Sequence, residues 1–409
     1  MPYLDHAASS PLRPAAREAW LRASRAAGNP SATHADGRSS RRLLEDARES
    51  VASSLGADPA EVVFTSGGTE ADNLAVLGSV RTSPPRSVPS TPDDGAASSR
   101  SPVTSGDGAA SVPELVTSAI EHPAVLESAH LLESEGYRVA LLPVQASGVV
   151  DVVGLAEAVG EGTRLVSLMW VNNETGVVQP VAEAVEAAHG VGALAHSDAV
   201  QAVGHVPFSF RASGLDLASL SGHKLGAPVG TGVLLARRGV TLAPVQGGGG
   251  QERGLRSGTV DVAGAAALAA ALAETVEGQE KETARLLELR RSIEHALSEL
   301  EGVRVTGGAL PAESRAPHIV HAVIEGVRAE ALLFGLDRAG ISASAGSACR
   351  AGVHQPSHVV LAMGGTPEEA GGTLRCSLGW TTTPAEVEAL LAALPAAVER
   401  ARAAGTGRS

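Results

Sequence analysis

Between about residue 15 and residue 262, short apolar runs alternate with stretches of helical periodicity, and this alternation limits the fold more than any single motif does. The runs that read as strands are 61–65, 114–119, 138–142, 164–171, 193–197, 217–219 and 232–235. Helices fall between several of them, including 38–55 and one that starts at Thr69. Strands spaced by helices predict an α/β fold with a largely parallel sheet. A helical stretch over 262–300 then leads to strands at 303–305, 319–324 and 373–378, with helices at 329–339 and 385–401. That second pattern predicts a smaller α+β domain. Residues 81–113 interrupt the first pattern: they are nearly all Ser, Pro, Gly, Ala, Thr and Asp. Such a stretch buries too little to offset the entropy of ordering, so a disordered surface insertion is expected there.

Composition narrows the function classes. The 409-residue chain is 44% hydrophobic and 19% charged, so it is globular rather than disordered throughout. A net charge of −13 argues against a surface for nucleic acid or anionic membranes, and 2% aromatics argues against base-stacking platforms. No apolar stretch reaches the roughly 18 residues of a membrane span, and the first residues do not read as a signal peptide. Two cysteines, Cys349 and Cys376, make neither a disulfide framework nor a Cys-rich metal site, so no metal is expected. A cytoplasmic protein with reduced thiols is the expectation. Of 32 basic residues only Lys224 and Lys281 are lysines. A lysine retained in an arginine-rich chain marks a position where an amine that can lose its proton is needed.

Several segments carry chemistry. Ser221-Gly-His-Lys224 follows a strand, where a partly buried lysine can form a Schiff base; a surface lysine at a turn is the alternative. His196-Ser-Asp198-Ala-Val-Gln201 also ends a strand, and Asp198 there can hold a pyridine nitrogen protonated or simply cap a helix. Thr65-Ser-Gly-Gly-Thr69 joins a strand to a helix, as a phosphate-binding turn or a plain capping turn. His122, after the next strand, can stack on a planar group, transfer protons or be structural. Cys349 lies in a loop of small residues, 343–352, which suits an exposed nucleophile; burial as a structural thiol is the alternative. Cys376 reads as packing, and its neighbour Arg375 can clamp a carboxylate or form an ordinary ion pair. The glycine-rich run 247–259 carries Glu252, Arg253, Arg256 and Thr259, which reads as an anion-binding or interface loop rather than a linker.

Taken in order, these segments resemble the cysteine desulfurases of the NifS/IscS type, pyridoxal-phosphate enzymes of the class V aminotransferase fold. The resemblance rests on Tyr3-Leu-Asp-His-Ala-Ala, Gly28-Asn-Pro-Ser, Phe64-Thr-Ser-Gly-Gly-Thr-Glu, Glu121-His-Pro-Ala-Val, Val171-Asn-Asn-Glu-Thr-Gly, Ser221-Gly-His-Lys, Gly248-Gly-Gly-Gln-Glu-Arg-Gly-Leu-Arg-Ser-Gly-Thr and Gly346-Ser-Ala-Cys. It implies fold type I, with a mostly parallel seven-stranded sheet in a large domain (16–262) and a small domain (263–409) that the N-terminal segment (1–15) joins. It implies that Lys224 carries pyridoxal 5'-phosphate as a Schiff base, that Asp198 pairs with the ring nitrogen and that Gln201 bonds the ring hydroxyl oxygen. His122 would stack on the ring and move protons. Gly68, Thr69, Ser221 and His223 would hold the phosphate, with Thr259 reaching in from the partner of a homodimer. Asn173 and Arg375 would orient L-cysteine. Cys349 would take its sulfur as a persulfide, release L-alanine, and hand the sulfur to an acceptor protein for iron–sulfur assembly or tRNA thiolation. A selenocysteine lyase, another class V enzyme and a non-catalytic scaffold are the alternatives.

Overall fold

The computed structural model describes residues 1–26, 28–84, 114–346, 349–350 and 353–406. Most of the expected 81–113 insertion therefore lies outside the described residues, as does the side chain of Cys349.

Seven strands, β1 (Val62–Thr65), β2 (Leu115–Ser118), β3 (Val139–Leu142), β4 (Leu165–Ser167), β5 (Leu194–Asp198), β6 (Leu217–Ser221) and β7 (Gly232–Ala236), form one sheet in the order β1-β7-β6-β5-β4-β2-β3. β7 runs antiparallel to both of its neighbours, β1 and β6, and the other pairings are parallel. Most of these strands are buried residue by residue, as expected where helices cover both faces of a sheet. β4 is shorter than the sequence predicts. On the β2 side its ladder stops at Ser167, where the Met169 N–H donates to the Glu121 carboxylate at 3.0 Å, while the Leu168 and Trp170 N–H groups still donate to the His196 and Asp198 carbonyls of β5 at 3.0 and 2.9 Å.

The helix predicted over 262–300 is two helices, Val262–Glu277 and Gln279–Ser298, parted at Gly278. Glycine weakens a helix interior by about 1 kcal/mol, and here the break lets the two halves serve different cores. Ala265, Leu268 and Leu272 pack into the core under the seven-stranded sheet, whereas Leu286, Ile293 and Leu297 join a second core. That second core lies on an antiparallel sheet, made of β8 (Val303–Val305), β9 (Ile319–Ile324) and, after the short hairpin of β10 (Cys349–Arg350) and β11 (Val353–His354), β12 (Thr373–Ser377). The C-terminal helix, Pro384–Thr406, closes it and runs longer than predicted. Leu4 is wholly buried in this core, and the Ser377 N–H donates to the Leu4 carbonyl at 2.8 Å. The N-terminal segment thus leaves the second sheet at Asp5 and delivers Ala7 and Ala8 to the first.

Candidate active site

The carboxyl ends of the parallel strands gather at one edge of the sheet, where open α/β sheets bind their ligands. β5 ends in Asp198 and β6 in Ser221, which opens a turn of 3-10 helix, Gly222–Lys224. β1 runs through Ser66 and Gly67 into the Gly68–Val80 helix, and β2 leads to Glu121 and His122 ahead of the Pro123–Ser134 helix. Ten of the twelve predicted site residues line a single cavity of about 600 Å³: Gly68, Thr69, His122, Asn173, Asp198, Gln201, Ser221, His223, Lys224 and Arg375. A larger hollow of about 1030 Å³ lies over β9, but charges on its wall pair with each other, as Arg304 does with Glu369 at 2.9 Å. The chemistry is therefore assigned to the smaller cavity.

Lys224 donates from Nζ to the carbonyls of Ala7 and Ala8, each at 2.6 Å. Burial, helped by the positive charge of Arg375, lowers its pKa to about 8 from the ordinary 10.5. Such an amine is a competent nucleophile near neutral pH. Asp198 accepts the Val200 N–H at 2.9 Å; burial raises its pKa, while His122 and Lys224 pull it down. The N-cap reading of Asp198 thus becomes a turn rather than a helix. His122 caps the Pro123–Ser134 helix, and its Nδ1 accepts the Ala124 N–H at 3.1 Å. Burial lowers the pKa of His122, against the pull of Asp198. Its structural and functional readings therefore hold together, because Nδ1 caps the helix while the ring lines the cavity.

The Gly68–Val80 helix has no side-chain cap, so the N–H groups of its first turn remain available to an anion. Glycine is needed at position 68, where a Cβ would come within 3.0 Å of Val200 Cγ2 and 3.2 Å of Ser221 Cβ. Thr69, Ser221 and His223 line the same cavity, and burial lowers the His223 pKa to about 4, leaving it neutral. Gln201 is held from both sides: its Nε2 donates to the Ala7 carbonyl at 2.9 Å, and its Oε1 meets His318 Nε2 at 3.0 Å. Arg375, 4% exposed, donates to the Asn173 carbonyl at 2.9 Å and to Asp5 at 2.7 Å.

Two predicted residues stand apart from this cavity. Thr259 is exposed, on a small separate cleft shared with Thr65 and Gly230. Cys349 is placed by backbone only, paired with His354 in the hairpin. Its loop nonetheless starts at the cavity, since Ser344 and Gly346 line it and three residues span at most about 11 Å. Cys376 is packed in β12, where burial pushes its thiol up to about 12. Sequence reasoning gave no role to Asp5, Asp72, Asn172 or His318. The Asn172 carboxamide organises the turn after β4: its Oδ1 accepts both the Glu174 and Thr175 N–H groups, and its Nδ2 donates to the Ile120 carbonyl. Its place beside Asn173 in one motif was the available signal. The Tyr3–Ala8 motif was the available signal for Asp5, whereas His318 is brought in by the second sheet, which no local pattern announces.

The arrangement fits a phosphorylated planar aldehyde: an amine of reduced basicity, a buried carboxylate close to it, and an uncapped helix start ringed by hydroxyl and imidazole groups. Comparison with known proteins agrees. The Aminotransferase class-V family matches residues 2–88 and 106–390. An IscS-like cysteine desulfurase of Mycobacterium tuberculosis is 46% identical over 99% of this chain and 98% of that protein. The cysteine desulfurase NifS of Azotobacter vinelandii is 37% identical over 92% of this chain and 87% of its own. Among solved structures, a NifS-like protein from Rickettsia africae superposes with a TM-score of 0.82 at 28% identity, covering 98% of this chain and 99% of that one. SspA in complex with cysteine gives 0.74 at 30% identity, covering 92% and 99%. The strand-end lysine and aspartate, the glycine turn and the full-length similarity together make this chain a member of the class V aminotransferase family, among its pyridoxal-phosphate-dependent cysteine desulfurases.

Proposed function

We propose that this chain desulfurates L-cysteine to L-alanine and passes the sulfur on as a persulfide of Cys349. The observation that carries the reading is Lys224, its pKa lowered to about 8, in one cavity with Asp198 and the uncapped start of the Gly68–Val80 helix. Pyridoxal 5'-phosphate, when bound, supplies an electron sink that acidifies the substrate Cα–H and weakens its C–S bond.

The protein's own groups do the rest. Lys224 Nζ would hold the cofactor at its carbonyl carbon and would move the proton at the substrate Cα. Asp198 holds the proton on the ring nitrogen, and His122 covers the ring. Gly68, Thr69, Ser221 and His223 hold the phosphate, with Gln201 at the ring oxygen. Arg375 and Asn173 fix the substrate carboxylate. The Cys349 thiolate attacks the substrate sulfur: a sulfur–sulfur bond forms, the carbon–sulfur bond breaks with its electron pair going to carbon, and that carbon takes up a proton.

In this reading residues 16–262 bind the cofactor and 263–409, joined by 1–15, carry Cys349. The exposed Thr259 reaches the phosphate of a partner subunit in a homodimer. The enzyme works in the cytoplasm, where the thiol stays reduced, and supplies a sulfur-acceptor protein of iron–sulfur assembly or tRNA thiolation. The test measures alanine and sulfide from L-cysteine with reductant present, for wild type and Cys349→Ala. A variant that keeps its cofactor absorbance but releases no sulfide supports the assignment; a fully active variant overturns the persulfide step.

A further inference from the structure

Three acidic side chains meet at the cavity floor, where Asp72 and Asp198 line it. Asp72 projects from the Gly68–Val80 helix and is 1% exposed, Glu121 follows β2, and Asp198 ends β5. Donor atoms of Asp72, His122 and Asp198 all lie within 4.8 Å of one another. Two buried carboxyls at that separation do not both ionise readily, because their repulsion in a low dielectric has no compensating solvent. Their hydrogen bonds decide which of them holds the proton.

Asp198 is served for ionisation, with the Val200 N–H on Oδ1 and both Lys224 and His122 beside it. Glu121 has the Ser118 hydroxyl at 2.6 Å and the Met169 N–H at 3.0 Å. For Asp72 the nearby Ser219 hydroxyl works against burial, and its Oδ1 has no hydrogen-bond partner among the described residues. His196 Nε2, 3.8 Å from that oxygen, brings no charge: it bonds Ser219 at 3.0 Å, its Nδ1 bonds Ser167 at 2.8 Å, and burial lowers its pKa to about 3. β7 and the Pro123–Ser134 helix, also packed against this helix, turn only apolar residues and a serine inward. An orphaned oxygen costs less on a neutral acid than on a carboxylate.

We propose that Asp72 is a positioning residue that stores the single proton of a buried Asp72–Asp198 pair, so that Asp198 is the ionised member and is free to take the cofactor's ring nitrogen. The proposal rests on the cofactor placement given above. Burial and the nearby Asp198 charge both push the Asp72 carboxyl well above the usual carboxylate range. Asp198 differs in having His122 and Lys224 to offset its own burial. The shared proton keeps a second negative charge away from the ring while leaving Asp198 its own.

The test is infrared spectroscopy of the full-length protein labelled with 13C-aspartate, loaded with cofactor and again after cofactor removal. At about pH 7.5 a protonated-aspartate C=O band is expected in both states, lost in Asp72→Asn. In Asp198→Asn the band should titrate away at a pH lower by about one unit or more, since the neighbouring charge is gone. Absence of the band in wild type, its survival in Asp72→Asn, or an unmoved titration in Asp198→Asn overturns the proposal. Should Asp72→Asn fail to fold, wild type and Asp198→Asn still decide. A protein that takes up no cofactor yet keeps the coupled band refutes the cofactor placement and not the proton pair.

Discussion

The lowered pKa of Lys224 is a stability statement that one substitution can isolate. In the cofactor-free protein the folded amine titrates near 8, against 10.5 for an ordinary lysine. A tenfold change in acidity is worth about 1.4 kcal/mol, so burying the protonated amine costs the fold about 3 kcal/mol. The sign follows from proton counts. Below the folded pKa both states carry the proton and the whole cost is present. Between about pH 8 and 10.5 the unfolded chain binds more protons than the fold, so stability rises with pH until the cost is gone. Lys224→Met removes this dependence. It also takes the donor from the Ala7 and Ala8 carbonyls, losing about 1 kcal/mol for each. The variant should therefore exceed cofactor-free wild type by about 1 kcal/mol at pH 7 and fall below it by about 2 kcal/mol near pH 10.5. Urea unfolding of both proteins at matched pH reads the difference, every other titrating group being common to the two. A difference that stays constant from pH 7 to 10.5 would refute the reasoning, because Lys224 would then titrate alike folded and unfolded.

Two further substitutions test the frame around the site. Arg48→Ala strips the Glu252 carboxylate of its 2.6 Å guanidinium partner and leaves a charge with a nearly buried side chain uncompensated, which should cost about 3–5 kcal/mol and lower the thermal midpoint by several degrees; an unchanged midpoint counts against it. Gly222→Ala places a Cβ 2.2 Å from Thr231 Oγ1 in the turn that carries Lys224, so the Lys224-linked cofactor absorbance should weaken at equal protein concentration, and full retention with unchanged stability shows that the turn yields.

Legibility differed by the range of the interaction. Strands such as β8 and β9 were readable to the residue because alternation and burial act locally, and β5 and β6, which lead to Asp198 and to the Lys224 turn, were readable to within two residues. The break at Gly278 was hidden: a single glycine in a long helical pattern is usually tolerated, and only the separation of two cores makes it a boundary. The end of the β4 pairing with β2 at Ser167 was hidden as well, since a side chain from another loop, Glu121, takes the Met169 N–H. Asp72 was given no role because a lone acid inside a helix normally faces water. Its burial depends on the strands that the helix covers, which the sequence near it does not record.

In the proposed reading the N-terminal segment has a part in cofactor exchange that follows from counting hydrogens. The Ala7 carbonyl accepts from both Lys224 Nζ and Gln201 Nε2, while the Ala8 carbonyl takes only the lysine among the bonds at this site. A lysine nitrogen joined to a carbonyl carbon keeps at most one hydrogen, so it can no longer serve both acceptors. Ala7 loses nothing essential, because Gln201 still donates to it, and Ala8 lies on the more exposed side where water can replace the amine. Gln201 is in turn held by His318, next to β9 of the second sheet. Cofactor bound to Lys224 as proposed would therefore be felt first at Ala8, in a segment anchored to the second core through Leu4 and the Arg375–Asp5 pair. Arg375 links that pair to Asn173, so one short segment joins Lys224 to the two groups proposed to receive the substrate.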